Sequence, residues 1–501
     1  MRERYSVVVN FLKRLSRFLD RSDGSLQRKA IRSGVWVTLS SVVGVGLSFL
    51  RSIVLVRLLT PEIFGLMAIC SMVIRGIEIF TETGFGAALI HRQQRFEDAR
   101  DTAFTLLVLR GAGLAVIAFF VAPWIAAFYN EAVLESIISV IGISFLLTGF
   151  NNVNTIALQK ELDFKRLTYL EQISGVLNTI VALGLAYWLR DVWALVYAQL
   201  MSSVISVVLS YAMVPGRPRF RLDPVITKEL FSYGKFMTGL AIVVFLGSQL
   251  DNAMIGKLLG MELLGYYTVA YTLASIPSIY ISKVIAKVLF PMFSKLQTDL
   301  PQLRAEYVRG VRLVVAVVVP TSVAVVVLAH DFVTVLYGAK WAAAGVPLQI
   351  LAISGCFQAL WMLNGYLYNA VGKPYVDFYM NASRLVVMLG LLYPLTLSYG
   401  LAGASVAVAI PMAAQFMVGV YLSRRVIGVP VVATVRPVGV ALAQGAVLAA
   451  VLIAAKLVVV SDSIPGLVLL LLLGTSVCLI FNLRAIRMQL SSHSLSIFPA
   501  R

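Results

Sequence analysis

Arg57-Leu-Leu-Thr-Pro-Glu62-Ile-Phe-Gly65 returns 200 residues later as Lys257-Leu-Leu-Gly-Met-Glu262-Leu-Leu-Gly265. Outward from these stretches, Gly34–Gly65 aligns with Gly234–Gly265 without a gap, and nine of the 32 positions are identical. The identical pairs are Gly34/Gly234, Thr38/Thr238, Val43/Val243, Ser48/Ser248, Leu50/Leu250, Leu58/Leu258, Leu59/Leu259, Glu62/Glu262 and Gly65/Gly265. Arg57 and Lys257 agree in charge. Apolar bias makes leucines coincide, but it does not make a glutamate and a glycine coincide at fixed spacing. The chain therefore contains an internal repeat.

Composition says where the repeat resides. Of 501 residues, 59% are apolar and only 13% charged, with a mean hydropathy of +0.88. A soluble chain of this length needs far more polar surface. A soluble enzyme, a disordered chain and a disulfide scaffold are thereby excluded. Cys70, Cys356 and Cys478 lie far apart inside apolar runs and read as core residues, not as a metal site. His91, His330 and His493 are equally scattered.

A hydrocarbon core takes roughly 20 apolar residues as helix. That template fits fourteen runs: 34–56, 63–80, 103–128, 133–158, 173–189, 192–214, 236–256, 263–281, 313–329, 346–371, 378–397, 401–422, 438–455 and 464–483. Lysine and arginine test the count, because they concentrate on the cytoplasmic side. The N-terminal segment and every second gap after it hold 33 of the 42 basic residues. The opposite gaps hold five: Arg57, Arg190, Lys257, Lys340 and Lys456. The alternation persists to the last span, placing both termini in the cytoplasm.

Six spans separate the two copies of the repeat, so both copies run the same way. The expected architecture is an all-α polytopic membrane protein with about fourteen helices, in two parallel-repeat six-helix lobes plus two extra C-terminal helices. The parts are a basic cytoplasmic segment 1–33, an N-lobe 34–214, a cytoplasmic linker 215–235, a C-lobe 236–422, and a final pair of helices with a cytoplasmic tail, 423–501. Within the first segment Phe11, Leu12, Leu15, Phe18 and Leu19 share one helical face, with Lys13, Arg14, Arg17 and Arg21 largely opposite. This fits a basic helix lying on anionic inner-leaflet lipids, or a tail that enforces topology. The net charge of +18 is then mainly a topology signal, not a sign of nucleic-acid binding.

No G-x-x-x-x-G-K-[ST] loop, H-E-x-x-H or nucleophile elbow occurs. The longest loops, 330–345 outside and 282–312 inside, are too short for a catalytic domain. The chain reads as a transporter, not an enzyme, with no catalytic residue, metal site or cofactor. Ionisable residues within spans are costly and are the default functional candidates. Arg75, Glu78 and Glu82 share one helical face, as a cation or proton relay or as a structural ion pair. Arg51 and its repeat partner Asp251, followed by Asn252, would face one cavity from opposite lobes. Arg384 has Asn381 one turn before it, while Arg110 fits snorkelling to the inner headgroups. Arg51, Arg75 and Arg384 are candidates for substrate phosphate; Glu78, Glu82, Asp251 and Asn252 are candidates for ion coupling or gating. The uncharged groups Asn151, Asn152, Asn154, Asn178, Gln249, Asn364 and Asn369 suit sugar hydroxyls or ordinary interhelical bonds.

Several longer runs are similar to a known family. They are Leu58-Leu-Thr-Pro-Glu-Ile-Phe-Gly65, Glu82-Thr-Gly-Phe-Gly-Ala-Ala-Leu-Ile90, Asp251-Asn-Ala-Met-Ile-Gly256, Leu264-Gly-Tyr-Tyr267, Phe290-Pro-Met-Phe-Ser-Lys295 and Leu336-Tyr-Gly-Ala-Lys-Trp341. In order and spacing, over residues 30 to 430, they resemble the polysaccharide transporter branch of the multidrug/oligosaccharidyl-lipid/polysaccharide flippase superfamily. The nearest type is the O-antigen, colanic-acid or teichuronic-acid exporter. The resemblance implies a lipid-linked oligosaccharide on undecaprenyl pyrophosphate, flipped from the inner to the outer leaflet of the bacterial cytoplasmic membrane. It implies alternating access, with coupling in some members to a proton or sodium gradient. A polysaccharide polymerase or glycosyltransferases are partners in keeping with it. The alternatives are a peptidoglycan-precursor (lipid II) flippase, which differs in headgroup, and a cation-coupled multidrug antiporter, which favours an acidic cavity. A membrane-bound polymerase or acyltransferase would carry a long outer domain, and none occurs.

Overall fold

A computed structural model of the chain describes residues 44–80, 96–160, 163–459 and 463–493. The basic segment 1–33 and Glu82 lie outside the described residues. Helices follow one another through the chain: α1 (residues 44–58), α2 (Pro61–Phe80), α3 (Phe96–Tyr129), α4 (Val133–Gly149), α5 (Asn154–Lys160), α6 (Phe164–Leu189), α7 (Val192–Met213), α8 (Pro224–Leu259) and α9 (Met261–Val284). A five-residue π-helical segment, Ile285–Leu289, leads into α10 (Phe290–Lys295). Then come α11 (Leu300–Tyr337), a 3-10 turn over Ala339–Ala344, α12 (Gly345–Ala370), α13 (Pro374–Ile427), α14 (Val431–Lys456) and α15 (Ile464–His493). Among the described residues there is no strand. In hydrocarbon every backbone polar group must be bonded within the chain, which leaves helices as the solution for an open polypeptide.

Each of the fourteen apolar runs overlaps a described helix, the first from residue 44 onward. Eight helices among the described residues are long and apolar enough to cross a membrane by themselves. Helices α3, α8 and α11 begin well before their apolar runs, at Phe96, Pro224 and Leu300. Those extra turns carry the basic residues counted to the cytoplasmic side. Pro224 and Pro301 sit in the first turns, where a missing N–H costs nothing. The 54-residue α13 is two helices, because Gly400 breaks it at φ 56°, ψ −137°. Just beyond, a Cβ on Gly403 would fall 1.8 Å from the Leu395 carbonyl oxygen. The chain doubles back there with no room for a side chain, between the two runs expected as separate spans.

By backbone contacts the chain divides into two compact units. One runs over Met1–Leu55, Phe80–Pro123 and Glu135–Thr238; the other over Val56–Ile79, Trp124–Leu134 and Gly239–Arg501. The second unit thus takes two pieces of chain from the first repeat. Its core is built by α11 and α12, around the buried Tyr307, Val311, Val318, Leu363 and Tyr368. Tyr307 Oη donates to Asn364 Oδ1 at 2.6 Å, and Tyr368 Oη to the Gly419 carbonyl at 2.8 Å. In the first unit, Ala99, Ala103, Phe104, Leu106 and Val153 form a core around the start of α3.

Asn152 shows how the end of α7 is held. The residue is fully buried. Its Nδ2 donates to the carbonyls of Ser210, Val214 and Gly216, at 3.4, 3.0 and 3.0 Å. The Val214 and Gly216 carbonyls lie just past the helix end, where no further turn supplies a donor, while that of Ser210 also accepts the Val214 N–H at 3.3 Å. Its Oδ1 accepts from the N–H and Nδ2 of Asn154, at 3.1 and 2.9 Å. Asn152 and Asn154 therefore spend their polarity inside the protein. Asn152→Ala removes the side-chain donor to the Val214 and Gly216 carbonyls, and is expected to destabilise the fold by about 1–3 kcal/mol. The measurement is the thermal unfolding midpoint of the purified protein in detergent.

Candidate functional site

The repeated stretch meets its own copy. Gly65 lies on α2 and Gly265 on α9, each the fifth residue of its helix. A Cβ on Gly65 would fall 1.8 Å from the Met261 carbonyl oxygen, and a Cβ on Gly265 would fall 1.8 Å from that of Pro61. Pro61 and Met261 are themselves repeat equivalents. The two helices cross backbone to backbone, and each glycine occupies the place that its counterpart's helix start requires.

Basic residues tie down the helix ends around this crossing. Arg57 donates from Nε to the Leu336 carbonyl at 2.7 Å, and from Nη2 to the Val335 carbonyl at 2.6 Å. Lys257, its repeat partner, donates to the Phe128 carbonyl and lies 4.9 Å from the Phe128 ring centroid. Both therefore satisfy carbonyls in the last turn of a helix from the other repeat, α11 for Arg57 and α3 for Lys257. Lys340 Nζ donates to the carbonyls of Arg57 and Leu59, both at 2.8 Å. Trp341, fully buried, donates from Nε1 to the Val56 carbonyl at 2.9 Å. Phe64 and Tyr266 pack edge-on against its ring, at 5.4 and 5.7 Å. Lys456 pairs with the buried Asp331 and joins α14 to α11. Four of the five basic residues that break the charge alternation are thus spent on helix-end carbonyls or on Asp331.

Next to this crossing lies a small cavity of charged and polar side chains. Asp251 on α8, Tyr271 and Ser275 on α9, Ser354 and Gln358 on α12, and Arg384 on α13 all line it. Its volume of about 20 Å³ has room for a water molecule or a small ion. Asp251 is 3% exposed and Tyr267 fully buried. Tyr267 Oη donates to Asp251 Oδ2 at 2.6 Å, and the Asn252 N–H donates to Oδ1 at 2.9 Å. Arg384 lies against Gly247, where a Cβ would come within 2.8 Å of its Nη2. Its Nε is buried with no hydrogen-bond partner.

The sequence candidates separate. Asp251 and Arg384, 133 positions apart, line one cavity. Asn252 sits beside it, its Nδ2 donating to Gln249 Oε1 at 3.0 Å. Arg75 and Glu78 are exposed on α2 and do not line this cavity. Arg51 is half-buried on α1, in the first unit, whereas Asp251 belongs to the second. Asn369 donates to Asp377 Oδ2 at 3.3 Å, and Asn381 to Oδ1 at 3.0 Å. Sequence reasoning assigned no role to Tyr267, Tyr271, Gln358 or Trp341. For Tyr267 and Trp341 a signal existed, since both close runs quoted for their family likeness.

These features define a class: a polytopic helical transporter fold with a mixed-charge cavity beside a tight helix crossing. Residues 54–345 match the polysaccharide biosynthesis protein family, and the chain belongs to that family. It is 30% identical over 353 residues to the teichuronic acid biosynthesis protein TuaB of Bacillus subtilis (strain 168), covering 70% of this chain and 73% of that one. It is 23% identical to the lipopolysaccharide biosynthesis protein WzxC of Escherichia coli (strain K12), covering 73% and 75%. A solved structure of the lipid II flippase MurJ, in an inward closed conformation, shares the fold. Its TM-score is 0.69 at 14% identity, over 92% of this chain and all of that one.

Tyr267→Phe removes the hydroxyl that satisfies a buried carboxyl. The expected loss is about 2 kcal/mol, read as a lower unfolding midpoint in detergent. Tyr266→Phe removes a hydroxyl bonded to Glu262 at 3.0 Å, in an exposed pair, and is expected to leave that midpoint nearly unchanged.

Proposed function

We propose that this chain is a flippase that carries an undecaprenyl-pyrophosphate-linked oligosaccharide from the inner to the outer leaflet of the bacterial cytoplasmic membrane, by alternating access, for surface polysaccharide biosynthesis. The observation that carries this reading is the helix crossing set directly beside a buried, mixed-charge cavity. Asp251 lies six residues before Lys257 on α8, about 9 Å along the helix. Tyr267 lies two residues past Gly265 on α9. Asp251 and Tyr267 thus lie on α8 and α9, and α9 is itself one of the two helices that cross. The charge count places this end outside, so the crossing is an outer gate.

The chemistry fits such a cargo. A sugar hydroxyl taken from water into hydrocarbon without a partner costs several kcal/mol, so the headgroup needs a polar path. A guanidinium supplies charge-assisted donors to pyrophosphate oxygens, and Arg384 has an unspent one in Nε. Asp251 is the coupling group: a proton or sodium ion at its carboxyl competes with the Tyr267 hydroxyl, and that tyrosine is anchored beside the gate. Arg51 and Arg75 serve as outlying phosphate contacts, and Glu78, Glu82 and Asn252 as further coupling or gating groups. The relatives named for teichuronic acid and lipopolysaccharide biosynthesis support this class of cargo, as does the fold shared with a lipid II flippase.

Asp251→Asn and Arg384→Ala are each expected to abolish surface polysaccharide in a strain that depends on this gene, with normal amounts of protein in the membrane. Gly265→Val, which cannot seat against Pro61, should do the same while exposing a cysteine placed at Phe64 to impermeant thiol reagents. Arg75→Ala tests the outlying contact and is expected to lower export. Full export by both Asp251→Asn and Arg384→Ala would sink the site assignment.

A further inference from the structure

The connection from α7 to α8 reads Gly216-Arg-Pro-Arg-Phe-Arg-Leu-Asp223. Its arginines, Arg217, Arg219 and Arg221, fall on alternate positions and all three are exposed. We propose that this segment is a preformed docking strip for anionic phospholipid headgroups of the inner leaflet.

The backbone of the strip is fixed. The Arg219 N–H donates to Asp101 Oδ1 at 3.2 Å, the Arg221 N–H to Thr105 Oγ1 at 2.9 Å, and the Asp223 N–H to Thr102 Oγ1 at 3.3 Å. Every second amide thus turns toward α3. A chain with period two carries alternate side chains on one face, so the three arginines share a side. Pro218 also keeps Arg217 out of the helical region. At the upstream end Asn152 holds the carbonyls of Val214 and Gly216. Downstream, Asp223 caps α8 by accepting from the N–H groups of Val225 and Ile226, at 2.9 and 3.3 Å.

The local acidic groups are already engaged. Asp101 pairs with Arg100 at 2.8 Å and takes the Arg219 amide; Asp223 is the cap. Between and beyond the arginines stand apolar side chains that are not buried: Phe220 is 67% exposed, Leu222 54% and Val225 76%. Phe220 touches Phe104 at a centroid distance of 5.2 Å and leaves the rest of its ring open. The strip joins α7 to α8 through ten residues, and its bonds to Asp101, Thr102 and Thr105 hold it level with the start of the apolar run of α3, the depth of the inner interfacial layer. Alternating guanidinium and apolar groups at that depth suit a lipid surface: the rings and aliphatic groups enter the acyl boundary, and the guanidiniums meet phosphates. A topology signal would need the charge alone. Pinning the backbone lowers the ordering cost of binding and makes the strip a site.

The test is native mass spectrometry of the full-length protein in detergent, titrated with phosphatidylglycerol, phosphatidylcholine or undecaprenyl phosphate. The wild type is expected to hold phosphatidylglycerol in clear preference to phosphatidylcholine. The triple variant R217Q/R219Q/R221Q should lose that preference, by roughly fivefold per arginine removed. T102V/T105V keeps every charge but frees the backbone, and should weaken phosphatidylglycerol binding severalfold. An unchanged preference in the triple variant would overturn the proposal, and unchanged binding in T102V/T105V would overturn the preformed strip. Selectivity for undecaprenyl phosphate, with phosphatidylglycerol no better than phosphatidylcholine, would assign the strip to cargo and also overturn it.

Discussion

Two helices in contact at Gly65 and Gly265 leave no room for a Cβ on either, and the surroundings follow from that approach. Backbones this close bring together the starts of α2 and α9, and with them the preceding ends of α1 and α8. Those ends present carbonyls and basic side chains to one another. The carbonyls of Val335, Leu336 and Phe128 are then met by Arg57 and Lys257, and those of Arg57 and Leu59 by Lys340. Small residues at a membrane helix crossing are the usual route to close approach. Here the crossing also sets which cations satisfy which helix ends.

Much of this was legible in the sequence, and for a physical reason. Helix is the answer to an apolar run of membrane length, so fourteen runs predict helices without tertiary knowledge. The broken α13 at Gly400 was legible too, because two runs met there with a glycine between them. The repeat was visible because Glu62/Glu262 and Gly65/Gly265 are not interchangeable with leucine. The contact between the copies was not visible. An offset of 200 states that Gly65 and Gly265 are equivalent; equivalence does not imply touching. The charge count singled out Arg57, Lys257, Lys340 and Lys456 as exceptions, and such exceptions need local neutralisation. Nothing local names the acceptors, since Arg57 and Leu336 lie 279 residues apart.

The buried site follows the same pattern. Asp251 and Arg384 stood out one by one, because a charge inside a span is expensive. That they line the same cavity depends on how α8, α12 and α13 pack, and packing of apolar helices leaves little trace in composition. Polar residues at large were a weaker guide. Asn152 would serve a sugar, yet its amide is used up by helix-end carbonyls and by Asn154, and the Oδ1 of Asn364 is taken by a tyrosine hydroxyl. Amides in membrane helices are as useful for internal satisfaction as for a ligand, so residue type alone does not separate the two roles.

The two repeats are symmetric at the crossing and unlike in charge beside it. Position 51 is arginine and its equivalent 251 is aspartate, while the crossing glycines, the glutamates three residues before them and the basic pair Arg57 and Lys257 agree. Symmetry at the crossing follows from geometry: two helices related by a pseudo-twofold need the same clearance from each other, and a side chain on either side breaks it. No such demand acts on the charges. A carboxyl needs a donor and a guanidinium an acceptor, and Asp251 draws its own from the Tyr267 hydroxyl and the Asn252 amide, within its own repeat. The carboxyl of the second repeat is thus satisfied without calling on position 51, and the two positions are free to differ. In the proposed function, one exchanges a small cation at its carboxyl and the other offers a guanidinium to phosphate. In the proposed flippase, a bulky anionic headgroup and a coupling ion are handled by different copies of one repeat, whose glycines meet at a single crossing.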